Sequence, residues 1–274
     1  LVRKQRGGQP FRRGLPGERE RGAISPPPSG GSGPLCSFSF FSGKQGDFNR
    51  KKRKCQRGGE DLFALPPALW YNGGKVGCAL IYAVRYGQRL SSRREEAALQ
   101  RQLARGLLRL ALQREYGLEL DALPMGKGPH GKPYFVGAPV HFSLSHCPGL
   151  VCCCLHTDEV GVDAEGPRPF SPRLARRICT GEEAAWLAAS PDPARDLTAL
   201  WTLKESVMKL EGQGIAMGFQ NAAFTFPEGE PRSADSQVAL SQFFLEGGFV
   251  VSAAARGHAF SQLCFVDPSE LPLS

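Results

Sequence analysis

The segment from Leu200 to Ile215 reads LWTLKESVMKLEGQGI. Its apolar residues recur at helical spacing, and Gly212 and Gly214 follow as a stop, so the pattern predicts a helix. Asp196 is the expected N-cap of this helix. With about 100° of rotation per residue, the apolar side chains cover one half of its surface.

Three charged residues of this helix need an explanation. Lys204 falls inside the apolar half, whereas Glu205 and Lys209 lie one turn apart at its border. A snorkelling lysine and an ordinary ion pair between residues i and i+4 would account for them. The alternative is a helix edge that faces a site for charged ligands, and the other motifs of the chain favour this alternative.

The positive charge of the chain is concentrated near its N-terminus. The 274 residues have a formal net charge of +8, but residues 1–60 carry 14 Lys and Arg against 4 Asp and Glu, a net of +10. Residues 61–274 carry 20 against 22, a net of −2. Residues 1–65 are rich in Gly, Pro, Ser and Arg and too poor in apolar residues to form a core, so we expect a disordered basic tail.

The charge pattern also bears on the class of function. The basic run from Arg50 to Lys54 makes a nucleic-acid-binding protein the alternative function. The near-neutral charge of residues 61–274 disfavours it, because a nucleic-acid-binding domain needs a basic face. The chain has no P-loop pattern, which disfavours a nucleoside triphosphatase. No apolar run approaches the roughly 20 residues that span a bilayer, so we expect no membrane association.

The nine cysteines favour a reducing compartment, because their number is odd and no CxxC pair is present. Cys152, Cys153 and Cys154 are consecutive in a predicted strand, so they alternate between its faces and cannot converge on one metal. We therefore expect reduced thiols in a cytoplasmic protein, with neither a zinc site nor a disulfide framework.

The predicted elements follow the order strand, helix, strands, helices, strands, which indicates an α+β fold. Residues 75–86 form the first predicted strand, and residues 93–116 form a long helix capped by Ser91 or Ser92. Strands predominate again toward the C-terminus, where Gly-rich turns join them. The chain therefore divides into two halves of similar outline, residues 66–158 and residues 159–274.

Two short helices are predicted before the quoted helix. Ser171 followed by Pro172 is typical of a helix start, with serine as the N-cap and proline at the first helical position. Thr180 and Glu183 have the spacing of a capping box, which begins the next helix.

The segment VGVDAE, Val160 to Glu165, places two carboxylates on one face of a strand. The valines at alternate positions are typical of a buried face, and Asp163 and Glu165 share the opposite parity. Two such carboxylates repel each other unless a cation lies between them, and Mg²⁺ prefers oxygen ligands. Two exposed acids at a strand end are the alternative. The quoted helix can supply a third carboxylate, Glu205.

Two further segments carry groups that can bind phosphate. FSLSHC ends in Ser145 and His146 at a strand end, where a hydroxyl and an imidazole can contact a phosphate or a ribose. The long predicted helix has arginines every four to seven residues, of which one or two can meet a phosphate. A turn residue, a surface histidine and a solvated basic face are the alternatives.

Four motifs in order resemble those of the 4′-phosphopantetheinyl transferases of the larger, Sfp-type branch: GKPYF, FSLSHC, VGVDAE and WTLKESVMKLEGQG. The family signature is Gly-x-Asp-x-Glu, followed by Trp-Thr/Ser-x-Lys-Glu-Ser/Ala-x-x-Lys. The resemblance covers residues 75–226. It implies an α+β pseudo-dimer of two similar halves, with the active site between them, in a monomer.

The resemblance also implies a reaction. The 4′-phosphopantetheine arm of coenzyme A would move to a serine of an apo acyl or peptidyl carrier protein, with release of 3′,5′-ADP. Asp163, Glu165 and Glu205 would hold Mg²⁺ against the pyrophosphate. Glu205, or a water on the metal, would take the proton from the serine. Lys204 and Lys209 would neutralise the phosphates, which explains why a lysine lies in the apolar half of the helix.

The remaining roles implied by the resemblance concern the nucleotide of coenzyme A. Lys132, in GKPY, would contact the adenosine end. Ser145 and His146 would contact the 3′-phosphate or the ribose. Arg101 is the expected helix arginine at the 3′-phosphate, with Arg105 one turn away as the alternative.

Overall fold

The structure, a computed structural model, describes residues 80–87, 90 and 92–273. The predicted tail of residues 1–65 and Ser91 lie outside the described residues, as does the start of the N-terminal half. The helices are α1 (Arg93–Tyr116), α2 (Pro172–Ile178), α3 (Gly181–Ala188) and α4 (Pro193–Leu210). The strands are β1 (Leu80–Arg85), β2 (Met125–Lys127), β3 (Pro133–Phe135), β4 (His141–Cys147), β5 (Leu150–His156), β6 (Val160–Glu165), β7 (Phe224–Thr225), β8 (Arg232–Ser233), β9 (Val238–Leu245), β10 (Phe249–Arg256) and β11 (Gln262–Phe265).

Most helix ends follow the local sequence signals. The Ser92 side chain caps α1, and Gly117 ends it in the left-handed conformation with φ of 64°. The predicted serine cap of α2 and the capping box of α3 are both formed. The structure confirms these predictions. They could be made from the sequence because a cap depends on residues that are near in sequence.

The expected N-cap of α4 is wrong. The helix begins before Asp196, at Pro193, with Asp192 as the N-cap that accepts a hydrogen bond from the Arg195 amide at 3.1 Å. Proline at the first helical position favours this earlier start. Asp196 lies in the first turn, where its carboxylate accepts a hydrogen bond from the Ser190 hydroxyl at 2.6 Å.

Two sheets of related topology form the centre of the fold. The first sheet has the order β11-β1-β5-β4, and the second has the order β6-β10-β9. In each, three antiparallel strands are arranged so that the last strand in sequence lies between the other two. A long helix, α1 or α4, lies in the connection between the first strand and the second. Strand β11 comes from the predicted C-terminal half but pairs in parallel with β1 of the other half.

The helices and sheets stack in four layers: α1, the first sheet, the second sheet and α4. Leu107 and Leu112 of α1 pack on the first sheet, and Leu200 and Leu203 of α4 pack on the second. Between the sheets lies an apolar core to which alternate residues of β5 and β6 contribute. Cys153 faces α1, whereas its two neighbours face the second sheet, so the predicted alternation of the cysteines is confirmed.

The strand parity predicted for VGVDAE is also confirmed. Val160 and Val162 lie in the core between the sheets, whereas Gly161 faces α4. Asp163 and Glu165 share the parity of Gly161, which directs both carboxylates toward the helix layer. In the part of the chain that the structure describes, no helix has the length and apolar character needed to cross a bilayer.

Candidate active site between two sheet edges

The site forms where the edge strand of one sheet meets the edge strand of the other. Strand β4 ends the first sheet and β6 ends the second. The Ser143 hydroxyl accepts a hydrogen bond from the Val162 amide at 3.0 Å, and the Ser145 hydroxyl accepts one from the Ala164 amide at 3.1 Å. Serines at alternate positions of FSLSH therefore satisfy the outward amides of β6, which a sheet edge otherwise leaves unpaired.

Gly161 brings α4 onto the backbone of β6. A Cβ atom at this position would lie 2.0 Å from the Ser206 carbonyl oxygen and 2.4 Å from the Leu210 amide nitrogen. Only glycine allows so close an approach of the helix. The last turn of α4 therefore lies directly over β6, and Lys209 reaches the strand.

Lys209 is bound at the centre of the site. Its ammonium group donates to Asp163 Oδ1 at 2.7 Å, to Ser145 Oγ at 2.9 Å and to the Val162 carbonyl at 3.0 Å. The Ser145 hydroxyl donates to the same Asp163 Oδ1 at 2.9 Å. Two side chains from segments far from Asp163 in sequence thus donate to one of its carboxylate oxygens.

The other oxygen of that carboxylate has no partner. Asp163 is only 6% exposed, and its Oδ2 is one of three buried side-chain polar atoms without a hydrogen bond among the described residues. A buried acceptor that is left unpaired costs free energy, and such an atom in a native fold requires an explanation. A bound cation would provide the missing partner.

Glu165 and Glu205 lie in the electrostatic field of Asp163. Burial raises the pKa of Glu205, the charges of Asp163 and Glu165 raise it further, and Lys209 opposes them. Burial likewise raises the pKa of Glu165, which Arg168 counteracts and Asp163 reinforces. The three carboxylates therefore repel one another at neutral pH, which a shared cation would relieve.

Sequence reasoning missed two residues that hold Glu165. Arg168 forms an ion pair with it, and the Trp201 indole lies close enough to lower the pKa of Glu165. Two signals were available: Arg168 follows Glu165 by three residues, and Trp201 begins the motif that carries Glu205. The first is a local spacing, whereas the second does not reveal the contact, because Trp201 of α4 meets Glu165 of β6 only through tertiary packing.

The donor set fits a hard divalent cation. All three side chains offer carboxylate oxygens, and Asp163 Oδ2 is free. Within the described ranges, no group of three or more His, Cys, Asp and Glu side chains is close enough together to hold a metal ion by itself. Mg²⁺ fits such a site, because it is usually bound by one or two carboxylates, with waters and substrate phosphates as its other ligands.

We expect Glu205→Gln to stabilise the metal-free protein at neutral pH. The pKa of Glu205 is raised in the folded state, so its contribution to stability is present below the unfolded pKa and is lost as pH rises through the folded pKa. Thermal unfolding in EDTA should therefore give the variant a higher Tm than the wild type at pH 7.5, and a smaller difference at pH 5. MgCl₂ should raise the Tm of the wild type more than that of the variant.

The control for this measurement is Glu182→Gln, an exposed carboxylate in the first turn of α3. Its Tm should be close to that of the wild type both in EDTA and in MgCl₂. An equal MgCl₂ effect on wild type and Glu205→Gln would contradict a role of Glu205 in binding the cation.

His146 of β4 and Arg101 of α1 lie near enough for the charge of Arg101 to lower the pKa of His146. His146 is exposed at the end of β4, and partial burial lowers its pKa, as do the charges of Lys209 and Arg101. Arg105 instead forms an ion pair with Asp121 at the far end of α1. The choice of Arg101 over Arg105 and the phosphate contacts of His146 and Arg101 remain predictions.

Ser145 has a different environment from the one expected. Its side chain is 5% exposed, and its hydroxyl contacts Asp163, Lys209 and the Ala164 amide. In this structure it orients the carboxylate rather than facing a nucleotide.

Lys204 does not face the site, although its expected role at the phosphates requires this. The side chain is 0% exposed, and its ammonium group donates to Glu183 Oε1 at 2.7 Å, to the Phe219 carbonyl at 3.0 Å and to the Ala222 carbonyl at 2.8 Å. All three of its donors are used inside the C-terminal half. Helical periodicity places a lysine on a face but does not show that α3 contributes a buried carboxylate opposite it.

Lys132 also makes contacts within the protein. Its ammonium group donates to the Val160 carbonyl at 2.9 Å and to the Leu210 carbonyl at 3.0 Å. It therefore connects the start of β6 with the end of α4, whereas nothing in the structure tests the expected contact with adenosine.

Comparisons with known proteins agree with this geometry. Residues 159–254 match the family model described as the 4′-phosphopantetheinyl transferase superfamily. The chain is 32% identical over 114 residues to the 4′-phosphopantetheinyl transferase Sfp of Bacillus subtilis, which covers 40% of this chain and 51% of Sfp. It is 33% identical over 121 residues to the 4′-phosphopantetheinyl transferase HetI of Nostoc sp., which covers 41% of this chain and 51% of HetI.

The chain spans about half the length of these curated relatives. Among solved structures, it is similar to the holo-[acyl-carrier-protein] synthase of Thermotoga maritima, with 19% identity, 35% of this chain and 61% of that chain covered, and a TM-score of 0.32. The matched residues contain Asp163, Glu165, Glu205 and Lys209. Residues 159–254 of this chain are therefore similar to the 4′-phosphopantetheinyl transferase superfamily.

Proposed function

We propose that this protein is a Mg²⁺-dependent 4′-phosphopantetheinyl transferase. It transfers the phosphopantetheine arm of coenzyme A to a serine of an apo acyl or peptidyl carrier protein and releases 3′,5′-ADP. The observation that carries the proposal is the unpaired Asp163 Oδ2, which lies beside Lys209 in a site with two further carboxylates. The names of the curated relatives support the same reaction.

Three side chains are proposed to hold the cation: Asp163 through Oδ2, Glu165 and Glu205. When bound, Mg²⁺ supplies Lewis-acid chemistry, polarising the pyrophosphate and offsetting the charge of the leaving group. Arg168 and Trp201 orient Glu165 for this role.

Lys209 and Glu205 are proposed to act on the reacting groups. Lys209 presents a fixed positive charge beside the carboxylates, where it stabilises negative charge on the phosphates. Glu205 has a raised pKa, which brings a carboxylate closer to the working range of a general base. It accepts the proton of the carrier serine, the serine oxygen bonds to the phosphorus that carries pantetheine, and the bond to 3′,5′-ADP breaks.

Coenzyme A is proposed to lie across both halves of the chain. Arg101 and His146 come from residues 66–158, and the carboxylates come from residues 159–274. The matching strand orders of the two sheets support a pseudo-dimer of these halves. A site built from both halves of one chain favours a monomer, and coenzyme A as the donor favours the cytoplasm. The alternative, nucleic-acid binding by the basic tail, falls on residues outside the described ranges.

The test is to incubate the protein with coenzyme A, MgCl₂ and a panel of apo carrier proteins, and to weigh the carriers by mass spectrometry. We expect one carrier to gain the mass of one phosphopantetheine arm. The gain should disappear in EDTA and with Glu205→Gln, and should persist with Glu182→Gln and after deletion of residues 1–60. Absence of both mass gain and coenzyme A binding would refute the proposal.

A further inference from the structure

The C-terminal end of α4 is held by two cations from other parts of the chain. We propose that Lys132 and Arg256 are positioning residues that keep α4 in register on β6. They thereby hold Lys209 and Glu205 against Asp163. The kinetic consequence rests on the proposed transferase activity, whereas the positioning itself does not.

Lys132 joins the start of β6 to the end of α4. It follows a tight turn between β2 and β3, in which the Gly128 amide donates to the Lys132 carbonyl at 2.8 Å. Its ammonium group contacts the carbonyls of Val160, the first residue of β6, and Leu210, the last residue of α4. The Leu210 carbonyl is one of the last four in the helix, which have no partner within it. Lys132 therefore caps the helix and ties it to the strand in one step.

The residue after the helix makes room for this lysine. Gly212 has φ of 68°, and a Cβ atom there would lie 3.2 Å from Lys132 Cδ. A side chain at this position would crowd the lysine stem, and the left-handed conformation would also be strained. The pattern EGQG at the end of the motif thus fits a lysine that crosses the end of the helix.

Arg256 lies on β10, which pairs with β6, and contacts residues beside the start of β6 and the end of α4. At the end of β10 it forms ion pairs with Glu159 at 3.3 Å, Glu211 at 2.6 Å and Asp235 at 3.2 Å. Glu159 immediately precedes β6, and Glu211 immediately follows α4. An isolated surface ion pair contributes little, but a network of several charges can hold its members in place.

Lys132 and Arg256, each with its contacts, form two clamps. These clamps lie next to the contacts of Lys209. Leu210 follows Lys209 directly, and Val160 lies two residues before Val162, whose carbonyl accepts from Lys209. A movement of α4 along β6 by about 1 Å would break the short contact with Asp163, and a misplacement of that size can cost about 100-fold in rate. The positions of Lys132 and Arg256 therefore determine whether Lys209 and Glu205 reach their places.

The experiment compares Lys132→Met and Arg256→Gln with the wild type. Lys127→Met is the matched control, because Lys127 is an exposed lysine on the same hairpin. Hydrogen–deuterium exchange of residues 205–212 reports the position of α4 without any assay of activity. Calorimetry measures coenzyme A affinity, and steady-state kinetics with a carrier that the wild type modifies give kcat and KM.

We expect faster exchange at the end of α4 in both variants and a kcat lower by about tenfold or more, with the Kd for coenzyme A within about twofold of the wild type. Lys132→Arg, which keeps the charge and the donors, should recover most of kcat and of the exchange protection. If Lys132→Met does not fold, Lys132→Arg and Arg256→Gln still test the clamp.

Two results would overturn the proposal. Weaker binding of coenzyme A to Lys132→Met with unchanged exchange would make Lys132 a nucleotide contact instead. Unchanged exchange and unchanged kcat in both variants would show that neither residue positions the helix. If the wild type neither modifies a carrier nor binds coenzyme A, the proposed function fails, and the exchange data alone still confirm or refute the clamp.

Discussion

Asp163→Asn is expected to lower kcat for phosphopantetheine transfer by about 10³-fold, equivalent to about 4 kcal/mol of transition-state stabilisation. The substitution keeps the size of the side chain and removes its charge. In the wild type, Asp163 Oδ1 accepts hydrogen bonds from both Lys209 and Ser145, and Oδ2 is the buried oxygen without a partner. An amide offers only one acceptor, so it cannot both bind Lys209 and hold a cation.

The measurement is single-turnover mass spectrometry of the carrier at saturating coenzyme A, over a series of MgCl₂ concentrations. A Tm close to that of the wild type shows that the variant is folded, and Glu182→Gln controls for loss of one negative charge elsewhere. A variant that reaches the wild-type rate at high MgCl₂ would refute the role of Asp163 at the cation.

Gly161→Ala is expected to cost about 3 kcal/mol of folding free energy, the upper part of the usual range for overpacking. The added Cβ would lie 2.0 Å from the Ser206 carbonyl oxygen, which is backbone and cannot turn away as a side chain can. The helix must therefore move off the strand. Because Lys209 lies in the last turn of α4, activity should fall by about 100-fold even where the protein is still folded.

Gly181→Ala is the matched control, since a Cβ there meets nothing within 4 Å. It should leave activity unchanged and raise stability by up to about 1 kcal/mol, because alanine loses less backbone entropy on folding. Urea unfolding measures both variants. Equal midpoints for Gly161→Ala and the wild type would mean that α4 does not depend on this close approach.

Local chemistry made several features predictable. The starts of α1, α2 and α3 follow from side-chain caps, and the end of α1 follows from a left-handed glycine; these signals act over a few residues. The shared face of Asp163 and Glu165 follows from the two-residue period of a strand. Where two local signals competed, as at the start of α4, proline at N1 prevailed over the aspartate chosen from the pattern.

Contacts between distant segments were less accessible. Lys204 and Lys209 belong to one motif and carry the same charge, yet one is buried against Glu183 and the other reaches Asp163. Their positions differ by more than a turn, and the difference in environment comes from what packs on each face of α4. Ser145 was expected to bind a nucleotide, but its hydroxyl points to a carboxylate on another sheet.

The α+β class, most helix caps, the face of the carboxylates and the family motifs can be predicted from the residues alone, because each depends on residue type and on short periodic spacing. Which charged groups meet depends on the packing of the elements in three dimensions. The close approach at Gly161, the meeting of β4 with β6 and the clamps at the end of α4 bring together residues separated by tens of positions. Such contacts depend on packing distances of a few ångströms, which periodicity does not specify.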